Sequence, residues 1–554
     1  MCRRKIKEVN LMKRILALVV LTLLLLTATS VLAAEAGGAV LKVGVGAQFT
    51  ILDPALNTEV VNNYAIRHMY SGLFKADEDN NAIGELCESY EVSEDGRVYT
   101  FKLVDANWSD GVPLTAHDFV YSYLRALSYG ADNAWASNDL VTMIQGAAEY
   151  NTRALEIGDS FDLNEEDASD VGVRALDDKT LELTLINPCV YFTKLLGSNV
   201  WLPVREDFAP QHESLWAFTG DYPVIGRYAL VECNENEKCV LKKNPAYFRA
   251  DEVIMDTIHY VVIPDEAAQA LAYQSGEVDI ALSVPGEMVL TYVGTENLWV
   301  MPRCSNYFIA INSGESGPEW AKDVNLRRAL ALTIDKDVLV EVLGGADLYP
   351  PLAGYVPTGV GGVSDDFRAE RDAQGGYTLV YDLEMAKELL AEAGYGEGNP
   401  LQIHYKYSNN AMHPDVATML QSMWQTAGFN VVFDAVESGV FYDQMDNGDF
   451  ESGRYGYVAS DDAMQYLELW TTQIQVVPAV DDATFDQMVT DARAIADPTA
   501  YYTALHAIED YLCEENVYVI PLFEFTTPVL VQSNVSGYRS LGGAADFGQC
   551  VIVK

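Results

Sequence analysis

The period of the hydrophobic positions changes several times along this chain. Leu41 to Val45 alternates apolar and polar residues, the two-residue repeat of a strand, and Asp53-Pro54 opens a turn. Asn62 to Phe74 repeats at helical spacing. From Tyr90 to Phe119 the chain reads YEVSEDGRVYTFKLVDANWSDGVPLTAHDF. Two β-rich runs meet there at Asp95-Gly96, where glycine accepts the positive φ of a hairpin turn. A tight turn follows at Ser109-Asp110-Gly111. Thr115-Ala116-His117-Asp118 then has the spacing of a capping box, in which a hydroxyl and a carboxylate satisfy the first helical amides. The acidic stretch from Glu156 to Asp170 reads as a surface loop, and Val171 to Ile186 as two strands around Asp177-Asp178. Val240–Lys243, Ile258–Ile263 and Val278–Ile280 are further strand candidates, with a helix at Ala267–Gln274 ending at Gly276.

The second half alternates strands with helices. Val324 to Leu343 is helical and broken near Asp335, which can cap a second helix. A helix at Leu383–Ala393 closes on Gly394. Then come a strand at Leu401–Tyr405, a helix at Val416–Ala427 ending on Gly428, and a strand at Asn430–Phe433. Strand, helix and strand within ~30 residues make a βαβ unit and imply a parallel sheet covered by helices. A helix at Ala500–Leu512 precedes the strand Val517–Leu522. The pattern favours two α/β lobes, whose ligands bind at strand ends or between domains.

The first residues do not belong to that pattern. Six basic residues between Arg3 and Arg14 precede an apolar run from Ile15 to Leu26, and Val31-Leu32-Ala33 fits a small-x-small cleavage site. Residues 1–33 therefore read as an export signal. The run is shorter than the ~20 residues that span a bilayer. No cysteine directly follows it, so a lipid anchor is not expected and the mature chain is read as soluble, periplasmic or extracellular. Residues 1–34 hold six Lys/Arg and one Glu, so 29 basic and 80 acidic residues remain of the 35 and 81, a net charge of −51. Such a chain repels nucleic acid and anionic membranes. The charge suits a solvated surface, and it could also attract cationic ligands.

Seven cysteines follow residue 34, at 87, 189, 233, 239, 304, 513 and 550. None forms a CxxC pair, which argues against a zinc ribbon or thioredoxin-like site. Cys233 and Cys239 flank a polar hairpin loop and could form a local disulfide; the odd total leaves at least one cysteine outside any internal pair. No Walker loop, GxGxxG, HExxH or GxSxG is present, and the seven histidines show no metal-ligand spacing. Neither a metal nor a cofactor is expected. Asp461-Asp462 is the one candidate acid/base pair, as an acidic glycoside hydrolase would use. Adjacent residues of a strand point to opposite faces, which argues against a shared catalytic role.

Six segments in order resemble one family. They are Leu52-Asp53-Pro54, Tyr99–Leu103 with Trp108–Gly111, Tyr273–Asp279 (YQSGEVD), Asn325–Lys336 (NLRRALALTIDK), Leu389–Tyr395 (LLAEAGY) and Ile520–Leu522. Together they are similar to the peptide/nickel-type (family 5) extracellular solute-binding proteins of ABC importers, and most like the oligopeptide-binding members. The resemblance implies the type II periplasmic-binding-protein fold: two α/β lobes, an additional small domain and a ligand cleft between the lobes. It places lobe I at 34–72, 190–285 and 505–554, the intermediate domain at 73–189 and lobe II at 286–504. It implies a non-enzymatic monomer that binds short peptides and hands them to a membrane permease with its ATPase subunits.

The resemblance also implies site residues. A strand contact of lobe I falls near Val60 and an intermediate-domain aromatic at Trp135. The lobe II contact segment runs from Arg454 to Ala459. Within it, Arg454 would meet the peptide carboxylate, Gly456 and Val458 would offer backbone groups, and Tyr457 would take an aromatic pocket position. His413 falls at a second carboxylate-side position. The aspartate that usually holds the peptide ammonium is replaced by Ser460, with Asp461 next to it. A lysine position falls at Gly344 and a tryptophan position at Ser438. The family's cysteine in this segment is Val458 here, and its partner position falls at Cys304. Structural alternatives remain for several of these: Trp135 and Tyr457 as core aromatics, Arg454 in an ion pair, His413 as a surface histidine. A nickel chelate or an oligosaccharide remains the alternative ligand within the class.

Overall fold

A computed structural model describes residues 38–553, apart from 58, 78–80, 130–139, 164–166, 210–221, 364–365, 411, 460–461, 475–476 and 542–543. The export segment, Trp135, Ser460 and Asp461 lie outside the described residues.

One ten-stranded sheet runs through the molecule. Its strands are β1 (Val40–Val45), β2 (Tyr228–Asn234), β3 (Lys238–Lys243), β4 (Thr257–Val262), β5 (Ile280–Ala281), β6 (Leu298–Ile311), β7 (Leu401–Ser408), β8 (Phe429–Val436), β9 (Ser452–Val458) and β10 (Val519–Val531). They lie in the order β8-β7-β9-β6-β10-β5-β1-β4-β3-β2. Strands β1 to β5 build lobe I, and β7 to β9 build lobe II. The long antiparallel pair β6 and β10 belongs to both. Residues 298–302 of β6 pair with 526–530 of β10 beside β5, whereas 305–310 pair with 519–525 and lie against β9. The register breaks between Pro302 and Ser305, where the ladder passes from one lobe to the other.

The expected βαβ unit is present: β7 and β8 pair in parallel around the helix His413–Ala427. That helix starts three residues before the apolar repeat at Val416 predicts, because Pro414 is accepted in a first turn. Asp335 caps the helix Lys336–Leu343 by accepting the Val338 amide at 3.1 Å, so 324–343 is two helices, as the sequence predicts. Two expectations shift. The strand expected at Val278–Ile280 is Ile280–Ala281. Val60, expected beside a strand contact, heads the helix Val60–Met69 instead. The helical repeat read from Asn62 extends back two residues to Val60, and the extended backbone of Glu59 (φ −104°, ψ 135°) ends it.

A separate antiparallel sheet, Cys87–Val92, Val98–Leu103, Thr180–Thr184 and Val173–Asp177 in that order, forms the small domain. Its hairpin turns at Gly96 with φ 71°. The capping box forms as spaced, with the Thr115 amide donating to Asp118 at 2.8 Å. The helix it starts, Ala116–Leu127, carries Arg125, whose guanidinium meets both oxygens of Asp53 at 3.1 and 2.5 Å. Both side chains are fully buried, so this pair ties the small domain to the first turn of lobe I. Cys233 and Cys239 face each other across β2 and β3 and are disulfide-bonded.

Lobe II packs on both faces of its sheet. Ile403, Tyr405, Leu420 and Trp424 fill one side, and Phe308, Tyr355, Phe441, Met464 and Trp470 fill the other.

Candidate ligand-binding cleft

The lobe II sheet opens a gap beside β9. Strands β7 and β9 pair only at Tyr405–Ser452 and Lys406–Gly453. Beyond those residues β9 continues against β6 alone, from Arg454 to Val458. Its other edge therefore presents main-chain donors and acceptors with no neighbouring strand among the described residues. Buried backbone groups require partners, and an unpaired edge is a template for an added strand. Gly456 is required at the centre of this segment, since a Cβ there would stand 2.8 Å from the Asn306 carbonyl. Asn306 fixes the inner side of β9: its side chain accepts the Tyr457 amide at 2.9 Å and donates to the Tyr355 carbonyl at 2.7 Å.

Arg454 begins the open segment and is only 6% exposed. It lies over the Phe441 ring at 4.2 Å and the Tyr442 ring at 5.4 Å. One terminal nitrogen donates to the Ser408 hydroxyl, and Nε has no hydrogen-bond partner among the described residues. It also forms no ion pair with a carboxylate among them. A buried cation held by rings and a hydroxyl keeps its capacity for an incoming anion. His413 stands beside it at the start of the His413–Ala427 helix, with Nδ1 3.3 Å from the Tyr307 hydroxyl. Burial, reinforced by the Arg454 charge, pushes its imidazole down to about 4. His413 is thus a neutral hydrogen-bonding group at ordinary pH, and Arg454 is the fixed charge. The helix terminus adds its positive end to the same place.

Tyr457 and Val458 differ in setting. Val458, the last residue of β9, is 52% exposed. Tyr457 lines an apolar void of about 10 Å³ with Phe308, Tyr355, Tyr455, Leu469, Trp470 and Val477, too small for a ligand group. On that side its ring is part of the aromatic core. Val60 belongs to lobe I, 70% exposed at the head of its helix. Asp462 does not extend a catalytic pair. It is fully buried, accepts the Tyr501 and Tyr502 hydroxyls and the Met464 amide at 2.8 Å each, and burial pushes it up to about 6.

Asn306, Tyr307, Ser408, Phe441 and Tyr442 complete the site and had no signal in the sequence. They come from two strands and a helix far apart in the chain, and the fold brings them to Arg454 where β7 parts from β9.

Two α/β lobes joined by a pair of crossing strands, with a receptive strand edge between them, define a solute-binding protein of the type II fold. The chain belongs to the bacterial extracellular solute-binding proteins of family 5, whose middle region matches residues 81–476. It is 29% identical over 500 residues to the periplasmic oligopeptide-binding protein OppA of Escherichia coli K12, covering 89% of this chain and 88% of that one. It is 27% identical over 493 residues to the probable deoxycholate-binding periplasmic protein YgiS of the same organism, covering 88% of each. The unliganded open form of the murein tripeptide-binding protein MppA superposes with a TM-score of 0.80 at 25% identity, covering 94% of this chain and 98% of that one. Proteins of this family are receptors, and this chain is not an enzyme.

Proposed function

We propose that this chain captures short peptides between its lobes and delivers them to the membrane permease of an ABC importer, driven by that importer's ATPase subunits. The observation that carries this reading is the pairing of an open strand edge at Arg454–Val458 with a buried arginine that has no carboxylate partner among the described residues. A peptide supplies both complements at once. Its main chain adds a strand to β9, which makes affinity indifferent to side chains. Its terminal carboxylate sits on Arg454, with neutral His413 donating a hydrogen bond. Val60 and Trp135 contribute from lobe I and the small domain, and Asp461 takes the peptide ammonium in place of Ser460. Ligand binding between the lobes shifts their population toward the closed arrangement. The domain limits are those drawn from the sequence, except that β6 and β10 run through both lobes, with export directed by residues 1–33 and a soluble mature monomer; no helix of the described residues is long and apolar enough to cross a membrane.

Native mass spectrometry of the purified mature protein tests the reading, with a heterogeneous set of peptide masses as the expected result. A bile acid also carries a carboxylate for Arg454, but it offers nothing to a strand edge. A single non-peptide mass, or protein that is empty and takes up no peptide from a mixed library, would overturn the proposal.

A further inference from the structure

One buried hydroxyl joins the strand that faces the cleft to the point where the sheet changes lobes. Tyr466, on the short helix Met464–Leu467, is fully buried. Its hydroxyl lies against the carbonyls of both Cys304 and Ala459, and it accepts the Ala459 amide at 3.0 Å. Having one proton, it donates to one carbonyl at a time.

Both partners sit at transitions. Cys304 lies in the register break of β6, with φ 49°, a left-handed conformation that side chains other than glycine rarely adopt. That break is where β6 leaves its pairing beside β5 in lobe I and begins its pairing with β9 in lobe II. Ala459 directly follows the last residue of β9, and the β6–β9 ladder ends one position earlier, at Ser305–Val458. The Ala459 amide also reaches the Cys304 carbonyl, at 3.3 Å. The direction of the Cys304 carbonyl and the end of the cleft strand are therefore set by the same hydroxyl. The Val458–Ala459 peptide is thus tied to the Cys304 bulge twice, by the long direct bond and by the hydroxyl that lies against both carbonyls.

We propose that Tyr466 is a positioning residue that couples ligand seating on β9 to the angle of the interlobe hinge at Cys304. The proposal deepens the peptide-receptor reading and rests on it for the identity of the ligand, but the hinge coupling is a property of the empty protein as well. A ligand strand pairing with β9 fixes its end, the hydroxyl passes that constraint to Cys304, and β6 leaves toward lobe I in the closed direction. Without the hydroxyl, β9 still accepts a ligand, but only the long Ala459–Cys304 bond is left to pass the constraint to the bulge.

Tyr466→Phe tests this. The ring packs edge-on against Tyr355 (6.0 Å, 86°) and Tyr457 (5.5 Å, 86°), contacts that phenylalanine keeps. Tyr355→Phe is the control, because it removes a neighbouring buried hydroxyl that makes no bond to Cys304 or Ala459. Three measurements apply: amide hydrogen exchange of the empty protein, calorimetry with tri-alanine, and the radius of gyration by X-ray scattering with and without tri-alanine. In Tyr466→Phe, exchange should rise in the segments containing Cys304 and Ala459. Tri-alanine should bind about tenfold more weakly, the scale of one lost hydrogen bond. The ligand-induced compaction should be smaller than in the wild type, and Tyr355→Phe should match the wild type throughout. Unchanged exchange around Cys304 in the empty protein would overturn the coupling, whatever the ligand proves to be. So would lowered thermal stability with unchanged affinity and compaction, since that is the signature of a merely structural hydroxyl. Failure of the wild type to bind tri-alanine or any library peptide would instead count against the peptide reading, with the exchange result still deciding the hinge.

Discussion

Two buried arginines in this protein have opposite surroundings. Arg125 and its partner Asp53 are fully buried and meet through both guanidinium nitrogens. Arg454 is nearly as buried, yet it faces two rings and one hydroxyl, and Nε has no partner among the described residues. A buried cation matched by a buried anion is complete and can only hold parts of the fold together. One left without an anion is costly to keep unless something else supplies the negative charge. The difference separates a structural charge from a receptive one without reference to any ligand. It also separates their consequences, because breaking the first should cost stability and breaking the second should cost affinity.

The largest effect is expected from Asp53→Ala, which strands Arg125 in the interior. Removing one partner of a buried pair costs about 3–5 kcal/mol. Chemical denaturation should show that loss, while calorimetry on the fraction that remains folded should give tri-alanine affinity within about twofold of the wild type, the scatter normally expected for distant sites. Arg454→Met should do the reverse. Losing a charged hydrogen bond to the ligand costs about 1.5–3 kcal/mol, so affinity should fall roughly ten- to hundredfold. Stability should change by less than about 1 kcal/mol, since an unmatched charge is replaced by an apolar chain of similar reach. A C-terminally amidated tri-alanine should bind the wild type and Arg454→Met with nearly equal affinity. If Arg454→Met instead destabilises the fold as strongly as Asp53→Ala, the distinction between the two arginines fails.

The same contrast explains what could be read from the chain. The Asp95-Gly96 hairpin, the Thr115–Asp118 capping box and the Asp335 helix break are local, and each has its cause within a few residues. The sequence carries them directly. Asp53 was visible only as a turn residue and Arg125 drew no reading at all, because their pairing depends on packing between residues 72 positions apart. Arg454 and His413 were reached through resemblance to a family and not through spacing. What makes the site receptive is the early parting of β7 from β9, and no periodicity reports a strand that stops pairing. Val60 shows local pattern giving way: it stands on a helix head, because two valines before Asn62 continue the helix despite their preference for strands.

His413 gives the smallest effect and the finest test. Its imidazole is pushed from 6.5 down to about 4, first by burial and then by Arg454. The unfolded chain therefore binds the proton more readily than the folded one. The associated stability is fully present above about pH 6.5 and is lost as pH falls toward 4. The side chain is partly exposed and solvent screens it, so the loss should stay near 1 kcal/mol. His413→Gln should remove that part of the slope between pH 6.5 and 4, as read by denaturant midpoints, while His68, pushed to about 4 by its own burial, keeps its share in both proteins. Ligand binding sharpens the point. A peptide carboxylate on Arg454 offsets the second of these two causes, the arginine's charge, so the His413 pKa should rise in the complex. Tri-alanine binding near pH 5 should then take up a fraction of a proton that is absent near pH 6.5, where the peptide's amine is still fully protonated, and reduced in His413→Gln, measurable by calorimetry in buffers of different ionisation enthalpy. Equal uptake in the variant and the wild type would place the ligand's carboxylate away from Arg454, and the arginine would then be receptive to something other than a peptide terminus.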